Sequence, residues 1–310
     1  MILTFRMPSE KLRKFAKLLI KIVITALCIW YISHKIDLKK LSGVLTVASP
    51  VWIILAIGSF ITSKLFSSIR LNIYFRNIDI QLSEWKNIRL YWLGMFYNLF
   101  LPGSISGDAY KVVRLTKDYN VAYKKTTAAV LLDRFSGLLA LGLLLGIFWT
   151  IAFKGGYYST WLMIGTLITI PVFHFLVKLL FPYFLPGFFP TLGWGIAVQL
   201  FQVACMYCIL HALHIHTHIE QYMLIFLISS VVAVLPFTIG GLGAREVVFL
   251  WGAHIFGLDN TVSVMASLLF YGATVASSLP GLPFIFIDPL KPNTPKRAPQ
   301  PYVTTATTME

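Results

Sequence analysis

Charged side chains stand at three places in this sequence where the surrounding residues are strongly apolar. They are Asp108, Arg114, Asp133, Arg134, Arg245 and Glu246. A charge near the centre of a bilayer costs at least about 2.5 kcal/mol on insertion scales, so such a residue faces a partner or a water-filled cavity. Arginine binds phosphate, and a carboxylate binds an amine or serves as a counter-ion. We therefore predict that these residues form a binding site for an anionic or zwitterionic headgroup.

A structural role is the alternative for the same charges. Asp133 and Arg134 are neighbours, as are Arg245 and Glu246, and each pair could form a buried salt bridge that ties parts of the protein together. An alternative position at the cytoplasmic rim, where basic residues also attract anionic headgroups, is expected for Lys111, Arg114, Lys117, Lys124 and Lys125. The sequence offers no convincing nucleophile and no set of metal ligands, so we expect a protein that is not an enzyme and has no cofactor.

Proline and glycine interrupt the apolar sequence beside two of the charged sites. The interruptions read LPGSISGDAYKVVRL and LPFTIGGLGAREVVF. Proline ends a helix and glycine permits the backbone to reverse, so each interruption predicts a helix break followed by a new short helix, whose N-terminus attracts phosphate. Ser104 or Ser106 is expected to cap the first of these helices. The predicted break residues are Pro102, Gly103, Gly107, Pro236, Gly240, Gly241 and Gly243.

Composition places the chain in a membrane. Of its 310 residues, 57% are hydrophobic and only 12% are charged, which departs from the usage of soluble domains. The net charge of +14 comes mostly from short segments between apolar runs, where basic residues orient a protein in the bilayer. We therefore expect no nucleic-acid partner. Cys205 and Cys208 lie inside an apolar run and are expected to be packing residues.

Six apolar segments are long enough to cross a bilayer as helices, which takes about 20 residues. They are predicted at 18–34, 50–69, 126–152, 158–180, 193–214 and 260–287. Two further segments, 88–118 and 221–256, contain the helix breaks, and we predict that each is a re-entrant hairpin. With hairpins there, most lysines and arginines fall on the cytoplasmic side, as is usual for short cytoplasmic loops. A crossing at 88–101 would instead distribute them about equally.

The predicted elements repeat along the chain. Span, span, hairpin and span follow one another over 18–152 and again over 158–287, and the two break prolines are 134 residues apart. A unit with three crossings ends on the opposite side, so the second unit is inverted, as in many transporters. The predicted fold is therefore an all-α integral membrane protein with six transmembrane helices plus two re-entrant hairpins in an inverted repeat. The basic N-terminus, 1–17, and a disordered polar tail, 288–310, would both be cytoplasmic.

Four of the seven histidines lie in HALHIHTH, residues 211–218. On a continuous helix His211 and His214 would share a face, as would His214 and His218. Imidazole is a common metal ligand, but no obvious carboxylate or cysteine except Glu220 completes a site. We therefore predict no metal site, and these three histidines are the residues that would form one.

Three motifs together resemble one protein family. PGSISGDAYKVVRL, VLLDRFSGLL and LPFTIGGLGAREVVF occur in this order over nearly the whole chain. They are similar to motifs of the lysylphosphatidylglycerol synthase/flippase transmembrane family, the membrane part of multiple peptide resistance factors. The matching positions are Pro102, Gly103, Gly107, Asp108, Arg114, Asp133, Arg134, Pro236, Gly240, Gly241, Gly243, Arg245 and Glu246.

The resemblance implies translocation of a phosphate-headgroup lipid in the cytoplasmic membrane of a prokaryote. The lipid would be an aminoacylated phospholipid or a polyprenyl-phosphate-linked lipid. Two-part family members also carry an aminoacyltransferase domain, which we do not expect in this chain. The expected partners are membrane lipids with anionic or zwitterionic headgroups, with a second copy of the chain or a lipid-modifying enzyme as further candidates. Two alternatives stay open: a secondary transporter of a small anion or proton-coupled solute, and a non-transporting subunit of a lipid- or glycan-modifying complex.

Overall fold

The computed structural model describes residues 48–100, 105–234 and 242–290, together with Leu19, Val23 and Trp30. The predicted first span and the polar tail fall largely outside these residues, so both stay predictions. The following positions named from the sequence also lie outside the described residues: Pro102, Gly103, Ser104, Pro236, Gly240 and Gly241.

From residue 48 onward, the described residues form nine α-helices and two 3-10 helices, with no β-strand among them. The α-helices are α1 (Pro50–Arg76), α2 (Glu84–Phe100), α3 (Ser106–Tyr119), α4 (Tyr123–Ala152), α5 (Tyr157–Leu180), α6 (Phe188–Ala212), α7 (Ile219–Val234), α8 (Ala244–Phe256) and α9 (Asn260–Ser278). The 3-10 helices are Pro182–Gly187, directly before α6, and Leu279–Ile285, directly after α9.

Within the described ranges, five helical stretches are long and apolar enough to cross a membrane. They are Pro50–Arg76, Tyr123–Ala152, Tyr157–Leu180, Pro182–Ala212 and Asn260–Ile285. Each corresponds to one of the predicted spans after the first, so the chain is a multi-pass helical membrane protein. The other four helices, α2, α3, α7 and α8, have 17, 14, 16 and 13 residues. Each is shorter than the roughly 20 residues that a crossing needs.

Local sequence explains where several helices begin and end. Pro50 lies in the first turn of α1, where its missing N–H leaves no intrahelical bond unmade. Asp259 caps α9 by accepting a hydrogen bond from Val262 N at 3.0 Å. Asn120 after α3 and Gly257 after α8 adopt the left-handed conformation that closes many helices. The two shortest helices therefore stop at signals in their own sequence.

Two apolar clusters lie at opposite ends of α1, α4 and α6. The first cluster joins the start of α1 and the end of α6 to the start of α7 and the end of α8. The second joins the end of α1 and the start of α4 to the start of α2 and the end of α3. Cys205 and Cys208 are free and buried within the first cluster, which confirms their packing role.

Corresponding helices of the two halves make corresponding contacts. α1 packs along α6, α2 contacts α9, and α7 contacts α4. Within each half, α2 packs on α3 and α7 packs on α8. A Cβ atom at Gly107 would overlap the carbonyl of Gly94, and one at Gly252 would overlap the side chain of Ile225. The two short helices of each half therefore approach more closely than residues with side chains would permit.

Candidate functional site

A cavity of about 280 Å³ lies where the two halves meet. It is bounded by α1, α2, α3 and α4 from the first half and by α6 and the end of α7 from the second. Asp108, Asp133 and Arg134, three of the six residues predicted to bind a headgroup, lie at this cavity. The polar residues of the described ranges that line it are Lys64, Ser67, Arg70, Tyr91, Asn98, Asp108, Lys111, Asp133, Arg134, Gln199 and Gln202.

Asp108 lies in the first turn of α3 and joins two cations. Its Oδ1 contacts Lys111 Nζ at 3.0 Å, and its Oδ2 contacts Arg134 Nε at 2.6 Å. Asn98 on α2 provides an acceptor for a backbone N–H group in the first turn of α3, because its Oδ1 accepts a hydrogen bond from Gly107 N at 2.8 Å. Both carboxylate oxygens of Asp108 are therefore engaged, and polar contacts join α2, α3 and α4 at the cavity.

The start of α3 differs from the prediction at two residues. The Ser106 hydroxyl does not cap the helix and instead donates to the Tyr97 carbonyl at 3.3 Å. Lys111 is buried rather than exposed: it contacts Asp108, and its Nζ lies 4.6 Å from the ring centroid of Tyr91. A carboxylate and an aromatic face together offset the cost of burying the ammonium group.

Asp133 pairs with a cation that the sequence prediction missed. Its Oδ1 accepts a hydrogen bond from Arg70 Nε at 2.8 Å, and the two side chains are only 12% and 7% exposed. Gly137 and Gly195 leave room for the guanidinium, since a Cβ at either would come within 3.1 or 3.4 Å of Arg70 Nη1. Among the described residues, Arg70 Nη1 is buried without a hydrogen-bond partner. The Arg70 guanidinium, which lines the cavity, therefore has one nitrogen that no described residue engages.

Lys64 is the second cation that the prediction missed. It precedes Arg70 by six residues on α1 and lines the cavity. Its Nζ lies 4.5 Å from the ring centroid of Phe60, and no carboxylate within the described ranges comes within ion-pair distance of it. A lysine within a membrane-spanning helix marks a functional site by default, because its charge is costly there.

The cavity carries an excess of positive charge. Among the described residues, four lysine and arginine side chains line it, against two carboxylates. The amide of Gln199 adds a polar group on α6: its Nε2 donates to the Gly137 carbonyl at 3.2 Å, while its buried Oε1 has no partner within the described residues. Because charges are weakly screened in a low-dielectric interior, this excess attracts an anion.

Arg245 and Glu246, which were also predicted to bind the headgroup, do not line this cavity. Glu246 is buried and caps α8, with Oε2 accepting from Gly243 N at 2.7 Å and Oε1 from the Ser267 hydroxyl at 2.9 Å. Arg245 donates to the Ser230 hydroxyl at 3.2 Å and lies over an aromatic ring of α9. The surroundings of both residues indicate structural roles at the second helix break.

Arg114 also lies away from the cavity. Its Nε contacts Asp118 Oδ2 at 2.8 Å, and its Nη2 contacts Asp288 Oδ2 at 2.6 Å. These ion pairs join α3 to the segment that follows α9. Arg114 therefore stabilises the packing of α3, and in this geometry it does not reach the cavity.

The salt bridge considered between the neighbours Asp133 and Arg134 does not form, although both residues take part in ion pairs. Asp133 pairs with Arg70 and Arg134 pairs with Asp108, rather than Asp133 with Arg134. All four residues belong to the first half of the chain, so these ion pairs strengthen one half and do not link the two.

The histidine cluster does not form the predicted helical face. α6 ends at Ala212, and His214 and His218 both have a φ of 57°. His211 instead contacts His216, with ring centroids 5.1 Å apart. In the part of the chain that the structure describes, no group of three or more His, Cys, Asp or Glu side chains is placed to hold a metal ion.

The sequence contains a signal for the two missed cations. The predicted span at 50–69 includes Lys64 and stops directly before Arg70. A basic residue inside or at the edge of an apolar run is the same signal that selected the charges of α4. Asn98 and Gln199 gave no such signal, because a neutral amide in an apolar run is far less costly than a charge.

Two known groups of proteins match this chain. The family model described as "Lysylphosphatidylglycerol synthase TM region" matches residues 18–192 and 186–281. A UPF0104 membrane protein of Pyrococcus horikoshii is 27% identical over 125 residues, which make up 40% of this chain and 36% of that protein. The chain thus matches about a third of the relative's length. The family match is far more extensive and includes every residue that lines the cavity.

Proposed function

Because this chain belongs to the lysylphosphatidylglycerol synthase transmembrane-region family, we propose that it translocates a phosphate-headgroup lipid across the membrane without catalysing a covalent step. The observation that carries the proposal is the positively charged cavity between the two halves. The positive charges of Lys64 and Arg70 attract the phosphate there, while the apolar tails stay in the bilayer.

The surroundings of Arg134 support entry of the headgroup from the bilayer. The Arg134 side chain is 32% exposed, more than the other ion-paired side chains of the cavity. Leu131 and Phe135, close to it on α4, are apolar and 48% and 53% exposed, as residues that face lipid are. An anionic headgroup that moves along this surface therefore meets Arg134 first.

The helix arrangement supports an inverted repeat with two re-entrant hairpins. The outer ends of α2 and α3 share one apolar cluster, and those of α7 and α8 share the other. Two hairpins that enter from opposite faces of the membrane require this placement. Transporters built from inverted repeats alternate access by moving one half against the other around a central site, and the cavity occupies that position.

Removal of the Arg134 charge tests the proposal. In proteoliposomes that contain fluorescent phosphatidylglycerol, the wild-type protein is expected to exchange the lipid between leaflets, and the Arg134→Gln variant to do so about tenfold more slowly or worse. A hydrogen bond to a charged group contributes roughly 1.5–3 kcal/mol, which corresponds to a factor of about ten or more. Exchange is measured by quenching the outer-leaflet label with dithionite.

Arg76→Gln is the matched control for this experiment. Arg76 pairs with Glu84 at the protein surface, where the two side chains are 49% and 43% exposed, so its loss should leave the exchange rate unchanged. A wild-type rate equal to that of protein-free liposomes would disprove lipid translocation.

Transport of a small anion is a second candidate, favoured by the modest volume of the cavity, about 280 Å³. Thermal unfolding in detergent separates the two candidates, because a ligand that binds the native state raises the unfolding temperature. Lipid translocation predicts stabilisation by phosphatidylglycerol and none by sodium phosphate. Stabilisation by sodium phosphate alone would favour the small-anion transporter.

A further inference from the structure

The charges of the cavity discriminate between kinds of phosphate headgroup. Resting on the proposed function, we infer that the cavity accepts a lipid headgroup with net negative charge and rejects one to which an amino group has been added. Phosphatidylglycerol and its lysyl ester represent the two classes. The first carries one negative charge at neutral pH, whereas the second carries two amines and is net positive.

An added amine requires a carboxylate that is not already neutralised, and the described lining supplies none. Asp108 contacts Lys111 through one oxygen and Arg134 through the other. Asp133 is held by Arg70 at 2.8 Å. Both acids of the cavity are therefore balanced by cations of the protein itself, and an incoming ammonium group would have to displace one of these cations.

Glu246, the other acid predicted to receive an amine, is not available either. It does not line the cavity, and its two oxygens accept hydrogen bonds from Gly243 N and the Ser267 hydroxyl. It is also only 2% exposed. A headgroup amine in the cavity would therefore find no acid in the second half of the described chain to replace the occupied ones.

Two donor atoms of the cavity, by contrast, have no acceptor among the described residues, although Arg70 itself is paired with Asp133 through its Nε. Lys64 has no carboxylate within ion-pair distance in the described ranges, and Arg70 Nη1 is buried without a hydrogen-bond partner there. The two residues lie less than two turns apart on α1, about 9 Å along the helix. The positive charges of both residues attract a phosphate group and repel an ammonium group.

Competition for binding tests this selectivity directly. The purified full chain is mixed in detergent with equal amounts of phosphatidylglycerol and lysylphosphatidylglycerol that carry the same acyl chains. Native mass spectrometry then measures which lipid is bound. The wild-type protein is expected to prefer phosphatidylglycerol at least tenfold, and the Lys64→Gln variant to lose most of that preference.

The variants are chosen to preserve the fold. Lys64→Gln removes a charge from an apolar helix, which lowers the cost of placing that helix in the membrane. Lys64→Glu supplies the missing carboxylate and should shift the preference toward the lysyl lipid. Lys124→Gln changes an exposed lysine that does not line the cavity and should retain the wild-type preference. Thermal unfolding checks that all three variants are folded.

Each outcome decides the inference. Equal binding of the two lipids, a preference for the lysyl lipid, or a preference that Lys64→Gln leaves unchanged would overturn it. Excess inorganic phosphate or glycerol phosphate should not displace bound phosphatidylglycerol; complete displacement would show a site for soluble anions and overturn the lipid assignment. Exchange between leaflets is measured on the same preparations. Selective binding without exchange of either lipid supports the inference and overturns the proposed function alone.

Discussion

At the scale of single residues, Glu246 shows how a charge in an apolar setting can serve the fold. It is 2% exposed and accepts hydrogen bonds from Gly243 N and the Ser267 hydroxyl. Each buried donor left without a partner costs about 1–3 kcal/mol. We therefore expect Glu246→Ala to lower the free energy of unfolding by roughly 2–5 kcal/mol. Glu246→Gln should lower it less, because its side-chain carbonyl still accepts one hydrogen bond. Unfolding in detergent measures both variants.

Lipid binding distinguishes this structural role from a role in the binding site. The folded Glu246→Gln variant should keep the wild-type affinity for phosphatidylglycerol, since the residue does not line the cavity. Normal stability together with lost lipid binding would contradict the structural assignment and return Glu246 to the binding site.

The sequence revealed charged residues that need partners, but not which partners they have. Asp108, Asp133 and Arg134 were predicted and lie at the cavity, because a charge in an apolar run must reach a polar environment. The adjacency of Asp133 and Arg134 suggests a contact that a helix disfavours, since consecutive residues do not face each other. Arg70 becomes the partner of Asp133 only when α1 and α4 lie side by side, which no pattern within either segment specifies.

At the scale of helices, the contact between α2 and α3 depends on two glycines. A Cβ at Gly107 would overlap the backbone of Gly94, which cannot move aside as a flexible side chain can. We therefore expect Gly107→Ala to separate the two helices and to lower the free energy of unfolding by about 1–3 kcal/mol. Because Asp108 is the next residue, lipid binding should weaken as well. Thermal unfolding and the lipid-binding assay measure the two effects.

Gly142→Ala on α4 is the matched control for Gly107→Ala. A Cβ at Gly142 would meet no atom within 4 Å, and alanine is favoured over glycine in a helix interior by about 1 kcal/mol. This variant should be as stable as the wild type or slightly more so. An unchanged unfolding temperature for Gly107→Ala would show that the helices can part without cost.

The sequence predicts the approximate position of a helix more accurately than its first residue. α2 begins at Glu84, although the apolar pattern predicts a start near 88, because a polar first turn with an acidic residue suits a helix N-terminus. α6 begins at Phe188 instead of 193. Pro190 lies in its first turn, where a proline removes no intrahelical hydrogen bond. Apolar periodicity indicates the buried middle of a helix, but it does not show where a polar or proline-containing end begins.

At the scale of the whole molecule, the two halves correspond in helix packing but differ in charge. The 134-residue spacing that relates the break prolines also relates Lys111 to Arg245 and Asp108 to Leu242. Lys111 therefore has a carboxylate one turn away, whereas Arg245 has none at the corresponding place and contacts a serine instead. The spacing predicts the repeat, but only the difference between these positions explains why the charged cavity draws its ionisable residues from the first half.

The proposed hairpins determine which loops share a side of the membrane. Ser83 precedes α2 and Lys124 follows the start of α4, while Thr217 precedes α7 and Asn260 begins α9; all four residues are exposed. Single cysteines are introduced at these positions in a chain whose three native cysteines are replaced by serine. Because each hairpin returns to its own side, Ser83→Cys and Lys124→Cys should react with an impermeant maleimide from the cytoplasmic side, and Thr217→Cys and Asn260→Cys from the opposite side. Labelling in sealed vesicles of both orientations measures this.

If α2 and α3 together crossed the bilayer as one interrupted span, Ser83→Cys and Lys124→Cys would react from opposite sides, and the inverted repeat would be disproved for that half.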